Sequence, residues 1–366
     1  MRANSLTIFA ALALCAACSS PLIQPADAGA PDSGSSALDA GSRDAGHDAG
    51  FADAGPDDAG SADAGTLDAG SADAGNDAGA SDAGAGDAGM NGGSVGYGGG
   101  TVDLLDFAIT GDSRPPFCDL VSNYPDAIVK AEAAQMAALP AQFAVDLGDH
   151  MFACLAGSGG PLASTAATQM QKYVAAVSGY PKPWFMSMGN HECLDQLDCS
   201  GQGLLDPNYA AFYPALGTVS HQDLPYYSVD IRTRPGLVRL VFVADNFASQ
   251  EQQLWLPRIL ADADQNAVHT IVLKHHPYKG DTGPGWPWPA INAHRVSLLL
   301  TAHEHLYEHD TTALGGRTVV CGLGGANTAN TGFCRVQQRE DNSLAFTQYD
   351  LSGNPRDTWS VPPLPH

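Results

Sequence analysis

Twelve histidines occur in the sequence, and ten of them fall between His150 and His309. Several stand in short polar clusters with carboxylates or an amide: Gly111-Asp112, Gly148-Asp149, Gly189-Asn190-His191-Glu192, His275-His276-Pro277 and His303-Glu304-His305. Carboxylate oxygens, imidazole nitrogens and an Asn carbonyl form a mixed N/O donor set, which suits Zn, Mn or Fe better than thiolate-seeking ions. His303 and His305 are spaced i, i+2, so they share a face on an extended segment and can both turn to one centre in a loop. A lone histidine is usually a structural residue, but these donors together outnumber what one open catalytic ion takes from a protein. Two divalent or trivalent ions are therefore expected.

Each cluster follows a run that reads as a strand. Asp103 to Thr110 ends at Gly111-Asp112, Gln142 to Leu147 at Gly148-Asp149, and Trp184 to Met188 at Gly189-Asn190-His191. Thr270 to Lys274 ends at His275-His276, and Ser297 to Thr301 ends at the His303 cluster. Helices are expected over Asp126 to Leu139, Ala163 to Val177 and Gln250 to Ala263. Tyr226 to Arg232 and Leu237 to Ala244 read as an antiparallel pair around Arg234-Pro235-Gly236, with short late strands at about Arg317 to Cys321, Phe333 to Gln337 and Leu344 to Asp350. The pattern is α/β, with polar tips past the C-terminal ends of strands, where open α/β sheets form their crevices.

In this order, the five blocks resemble the calcineurin-like metallophosphoesterases, over about Phe107 to Asp310. The stretch His303 to Asp310 (HEHLYEHD) and Gly322-Leu323-Gly324-Gly325-Ala326 look most like the purple acid phosphatase branch. The resemblance implies an αββα sandwich of two mixed sheets flanked by helices. It implies a metal-dependent phosphoric ester hydrolase acting on phosphate mono- or diesters through metal-activated hydroxide. By position, Asp112 and His305 would hold the first ion, Asn190, His275 and His303 the second, and Asp149 would bridge both. His275 rather than His276 is the ligand, being two residues before Pro277. His191 would serve the leaving-group oxygen, with Glu192 orienting it. Such ions acidify a shared water and neutralise phosphoryl oxygens, so an acidic protein can take an acidic substrate.

Two positions depart from the family pattern. The first motif, ordinarily Asp-x-His, is Asp112-Ser113-Arg114, and a guanidinium stays protonated and cannot ligate. Arg114 is instead a candidate contact for the substrate phosphate or a structural residue, and a water or His150 is left to complete the first ion. Phe152 replaces the Tyr expected three residues after the bridging Asp, so an iron–tyrosinate centre is not expected. The alternative is a surface-tethered, degenerate protein of this fold that binds a ligand or partner without turnover.

The charge is unevenly placed. Formal net charge is −23, and residues 1 to 100 carry −12 of it, with 14 Asp against Arg2 and Arg43. Phosphate backbones are bound by Lys and Arg clusters, so nucleic-acid binding by a basic surface is excluded. Residues 1 to 20 read as a secretory signal: Arg2, an apolar run from Leu6 to Leu14 too short to span a bilayer, then Ala16-Ala17-Cys18. Cys18 is the expected lipid acceptor of a bacterial outer-membrane or cell-surface lipoprotein, with Cys15 in the place of the usual Leu; plain periplasmic or secreted export is the alternative. Residues 21 to 100 contain twelve Asp-Ala-Gly triplets, mostly spaced by five. That period fits neither a buried helix face nor a strand, and little beyond Ala is available to bury. A disordered tether is expected, reaching roughly 50 Å as a flexible coil, with repetitive calcium binding as its rival. The catalytic domain is expected over 101 to 366.

Six further cysteines, Cys118, Cys154, Cys193, Cys199, Cys321 and Cys334, suit disulfides in an exported domain. Local geometry favours Cys193–Cys199 in one loop and Cys321–Cys334 across adjacent late strands. Cys118 and Cys154 each follow a metal-motif strand and can meet beside the site. The insertion from Cys193 to Pro225 and the loop Tyr278 to Trp288 are expected to wall the pocket. Trp286 and Trp288 are either stacking surfaces for an aromatic leaving group or loop packing.

Overall fold

A computed structural model describes residues 93–154, 162–194, 198–278, 285–310, 313–325 and 331–365. All lie in one compact unit, Asp82–His366. The signal segment, Cys18, the repeat region up to 92, Ala326 and part of the Tyr278 to Trp288 loop lie outside the described residues.

In chain order the elements are β1 (Val95–Gly96), β2 (Gly99–Thr101), β3 (Asp106–Thr110), α1 (Asp126–Ala138), β4 (Phe143–Asp146), α2 (Leu162–Val177), β5 (Trp184–Met186), α3 (Pro207–Val219), β6 (Tyr227–Thr233) and β7 (Gly236–Phe242). They continue with α4 (Gln250–Asn266), β8 (Ala267–Leu273), α5 (Trp288–Asn292), β9 (Leu298–Thr301), β10 (Tyr307–Asp310), β11 (Thr318–Cys321), β12 (Gly332–Gln338), β13 (Leu344–Asp350) and β14 (Pro355–Val361).

The strands form two sheets, one of eight in the order β1-β2-β6-β7-β8-β9-β11-β10 and one of six in the order β14-β13-β12-β3-β4-β5. Both are mixed. β3, β4 and β5 run parallel, as do β7, β8, β9 and β11, while β6–β7, β10–β11 and the β12–β13–β14 edge are antiparallel. With helices on the outer sides, this is the αββα sandwich.

Side-chain alternation fixes which strand face meets which layer. Leu240, Phe242, Ile271, Leu273, Leu298 and Leu300 join the main core together with Phe107, Phe143 and Phe185. Val241, Val272 and Leu299, one step out of phase, join a second core with Leu256 and Leu260 of α4 and Ile291 of α5. Phe185 of β5 bridges the layers, meeting Phe242 of β7 in the other sheet at 5.9 Å and Phe143 of its own sheet edge-on at 5.5 Å. α1, α2 and α3 pack in sequence beside the six-stranded sheet, and α4 lies against β8.

Some elements were not legible in advance. The glycine-rich segment before Thr101 supplies β1 and β2, with β2 pairing parallel to β6, so the ordered fold extends N-terminal of 101. Its glycines admit close backbone approach: a Cβ at Gly99, whose φ is 106°, would stand 2.2 Å from the Asp230 carbonyl oxygen. α3 lies inside the insertion between Cys193 and Pro225. Its start carries a readable signal, Asp206-Pro207: Asp206 Oδ1 accepts the N–H of Asn208 at 2.9 Å and of Tyr209 at 3.0 Å. Pro214 inside the helix obscured it. Among the described residues no helix is long and apolar enough to cross a membrane.

Candidate metal centre

The tips of β3, β4 and β5 from one sheet meet those of β8 and β9 from the other. Asp112, Asp149, Asn190, His275, His303 and His305 converge there. Two donor groups form, Asp149–His275–His303 and Asp112–Asp149–His305, the donor atoms of each lying within 4.8 Å of one another. Asp149 belongs to both.

The first group is tight. Asp149 Oδ1 lies 3.2 Å from His275 Nε2. Asn190 Oδ1 lies 3.0 Å from the same nitrogen and 2.9 Å from His303 Nδ1, and the two imidazole nitrogens are 3.3 Å apart. His275 Nδ1 contacts the Leu147 carbonyl at 2.9 Å, which makes it the N–H donor and leaves Nε2 as the ligating atom. Four side chains of three types thus aim lone pairs at one small volume, which fits a cation. The second group has the right donor types, but Arg114 stands on it: its Nη2 lies 2.7 Å from His305 Nε2 and its Nε 3.3 Å from Asp149 Oδ2.

Backbone strain is concentrated here. Asp112 and Asp149 have φ of 61°, His303 has 70° and His305 has 53°, all in the left-handed region that costs a non-glycine residue about 1–3 kcal/mol. Asp112 is held from across the sandwich, accepting the N–H of His303 at 3.1 Å and of His305 at 3.3 Å. The glycine cluster after β11 supplies the space it needs, for a Cβ at Gly322 would stand 2.0 Å from Asp112 Oδ2.

The electrostatics match a cation site. Burial raises Asp112 to about 7, with nearby Asp149 adding to the rise against His275 and Arg114. Burial would raise Asp149 too, but His275, His191 and Arg114 hold it well below the usual carboxylate range. Burial pushes His275 down, yet Asp149 and Asp112 outweigh it and lift it to about 10. Burial, with the charges of His275 and His276, lowers His303 to about 3; burial with Arg114 lowers His305 to about 4. The last two stay neutral, which is the form that ligates.

His191 sits at the edge of the pocket, its Nε2 3.7 Å from Asp149 Oδ2 and its ring 4.2 Å from that of Phe152. Burial holds it below its ordinary value against the pull of Asp149. Its loop is anchored by α3, where Asn208 Nδ2 donates to the His191 carbonyl at 3.0 Å.

Glu192 does something other than orient that ring. Its carboxylate accepts main-chain N–H groups from Gly189 at 2.6 Å, Asp149 at 3.0 Å and His150 at 2.8 Å. It therefore fixes the loop that presents Asp149. His150 lies between Glu192 Oε1 at 3.2 Å and Asp146 Oδ1 at 3.3 Å, so it supports the Asp149 loop and does not complete an ion's coordination. Burial works against its charge, but the two carboxylates raise it to about 10. Asp146 Oδ2 in turn accepts Ser113 Oγ at 3.0 Å and Tyr173 Oη at 2.9 Å. A carboxylate inside the apolar strand QFAVDL was the available signal for this layer.

Asp245 was also missed, although it follows β7 much as the other donors follow their strands. Buried, it accepts Lys274 Nζ at 2.7 Å and His276 Nδ1 at 3.1 Å, which hold it well below the usual range against the effect of burial. It orients His276, whose half-buried ring lies 4.3 Å from that of His303.

Of three disulfides, Cys118–Cys154 and Cys193–Cys199 staple loops beside the site, while Cys321–Cys334 joins β11 to β12, which lie in different sheets rather than side by side. The first joins the Asp112 and Asp149 loops. Trp288 stacks on Tyr278 at 3.7 Å and Trp286 packs on the core under α4, so both are loop packing.

Residues 127–307 match the family model described as calcineurin-like phosphoesterase. Over that segment the sandwich and the paired donor groups fit a calcineurin-like metallophosphoesterase domain. Among solved structures the chain is similar to a purple acid phosphatase isolated from yellow lupin (Lupinus luteus) seeds, with a TM-score of 0.52, 16% identity, and coverage of 71% of this chain and 54% of that one. The chain thus spans about half the length of that phosphatase. It also matches a hypothetical protein from Thermus thermophilus (TM-score 0.36, 12% identity, 70% and 98% coverage) and a cold-active protein-tyrosine phosphatase of a Shewanella species (0.33, 10%, 72% and 82%). No curated protein matches the sequence.

Proposed function

We propose that this chain is an exported, metal-dependent phosphoesterase that hydrolyses phosphate mono- or diesters. The observation that carries the reading is the pair of donor groups meeting at Asp149. Asp149, Asn190, His275 and His303 would hold one ion, and Asp112, Asp149 and His305 are the donors for a second. Zn, Mn or Fe bound there supplies Lewis acidity, which favours ionised water and offsets phosphoryl charge. The remaining work falls to the chain. His191, in its imidazolium form, gives the Nε2 proton to the leaving oxygen as the P–O ester bond breaks and the bond from phosphorus to the water oxygen forms, the water's own proton passing to solvent. Arg114 sits beside the same pocket, where an N–H not taken by His305, Asp149 or Pro115 can meet phosphoryl oxygens. Phe152 backs both groups: its ring contacts His191 and lies 4.5 Å from Arg114 Cζ.

Export rests on the Arg2 to Cys18 segment and agrees with three disulfides, which persist in oxidising compartments. Lipid attachment at Cys18, with residues 21 to 100 as the tether, completes the reading. A second reading, a binding protein without turnover, is favoured by the engagement of His305 by Arg114. Bound metal and hydrolysis of p-nitrophenyl phosphate and its bis ester, measured over pH on the full chain, separate the two. Less than one ion per chain and no turnover after adding Mn or Zn would sink the enzymatic reading.

A further inference from the structure

We infer that Arg114, rather than a second metal ion, is the cation of the Asp112–Asp149–His305 group, so that the protein holds one ion, on Asp149, Asn190, His275 and His303. The inference rests on the metal-centre reading above and narrows it.

The argument is one of lone pairs. A guanidinium carries only donors and keeps its proton at any accessible pH. With Arg114 Nη2 at 2.7 Å, His305 Nε2 must therefore be the acceptor, and its lone pair is taken. A neutral imidazole has one N–H, so accepting at Nε2 puts that hydrogen on Nδ1. Nδ1 has no hydrogen-bond partner among the described residues, and its ion-pair contact is Asp112 Oδ2 at 3.9 Å. Neither ring nitrogen then offers a lone pair to a metal. The second donor group is reduced to two carboxylates, fewer protein ligands than open catalytic sites generally retain.

Arg114 is also fixed where the missing charge belongs. Its Nε lies 3.3 Å from Asp149 Oδ2, the oxygen not facing His275. Nη1 donates to the Pro115 carbonyl at 3.4 Å, and Cζ lies over the Phe152 ring at 4.5 Å. The side chain is 13% exposed, so its charge acts in a medium of low dielectric. Two buried carboxylates repel each other unless cations lie between them; the guanidinium meets that need from the Asp112 loop itself.

The test is manganese loading of the full chain, wild type beside Arg114→His and Arg114→Ala. Bound Mn is counted by elemental analysis after desalting, and its spin state is read by electron paramagnetic resonance. Wild type is expected to hold one Mn(II) per chain with the six-line signal of an isolated ion. Arg114→His, which replaces a donor-only side chain with a ligand, is expected to hold two with an exchange-coupled signal. Arg114→Ala frees His305 and is expected to exceed one. Two coupled ions in wild type would overturn the inference while leaving the phosphoesterase reading intact. One ion in all three chains would show that Arg114 is not what excludes the second. No ion in any chain would overturn the metal centre itself. If both variants fail to fold, the wild-type count and signal still decide.

Discussion

The main-chain N–H of Asp149 donates to Glu192 Oε2 at 3.0 Å, tying the carboxylate shared by both donor groups to the tip of a different strand. Glu192 is fully buried, and it also holds the N–H groups of Gly189 and His150. Glu192→Ala therefore leaves three buried donors and a buried imidazolium without their partner. The expected cost is about 3–5 kcal/mol, the range for breaking a buried pair on one side. Glu192→Gln, keeping an acceptor oxygen, should cost less. Urea unfolding of both variants checks this, and equal losses would remove the clamp argument.

Removing a shared ligand should differ from removing a supporting residue. Asp149→Asn and His303→Ala are expected to lose bound metal and to lower turnover by more than the roughly 10–100-fold typical of outer-layer partners. His276→Ala should retain the ion, because His276 is held by Asp245 at the rim. Calorimetric zinc titration of the three variants tests the ordering; metal loss in His276→Ala alone would place the ligands wrongly.

Gly322 carries no chemistry but leaves room for Asp112. An added Cβ would meet Asp112 Oδ2 at 2.0 Å, whereas a Cβ at Gly179 meets nothing within 4 Å. Gly322→Ala is expected to displace the carboxylate, lower stability by about 1–3 kcal/mol and reduce activity. Gly179→Ala serves as the silent comparison. Thermal unfolding and turnover of the pair read the difference.

Glu132 gives a pH dependence away from the donors. It is fully buried on α1, where burial first and Asp146 second raise its carboxyl well above 4.5, against the hydrogen bond from Thr110 Oγ1 at 3.1 Å. A carboxyl raised on folding stabilises most below the unfolded value; that contribution falls as pH climbs from there through the folded value. Glu132→Gln removes the titration. Its stability relative to wild type should therefore rise between pH 4 and pH 8. Urea midpoints at the two pH values test it, and a constant difference would show that Glu132 titrates normally.

The Cys118–Cys154 bond closes the loop between the Asp112 and Asp149 tips, with a sequence separation of 36. Chain entropy alone assigns such a closure about 4 kcal/mol. The double variant Cys118→Ala/Cys154→Ala should lower unfolding stability by up to that amount and weaken metal binding. Unchanged metal affinity would confine the bond to a stabilising role.

Much of the site was legible because its information is local. Strand periodicity, glycine at the turns and the donor types at the tips of β3, β4, β5, β8 and β9 are set within a few residues, so the donor clusters and the α/β class could be read from composition and order, while the choice of six ligands among them came from the family resemblance. The Cys193–Cys199 pair was equally local to the loop it closes. The structure decided what depends on distance across the sandwich. That Glu192 holds the Asp149 loop rather than the His191 ring, and that Asp245 orients His276, follow from how strand tips meet. Arg114 and His305 are 191 residues apart, and their 2.7 Å contact arises because the two sheets pack with those tips facing. Spacing along a chain specifies which side chains share a face, but only the packing of one sheet on another determines which lone pair each nitrogen has left to give.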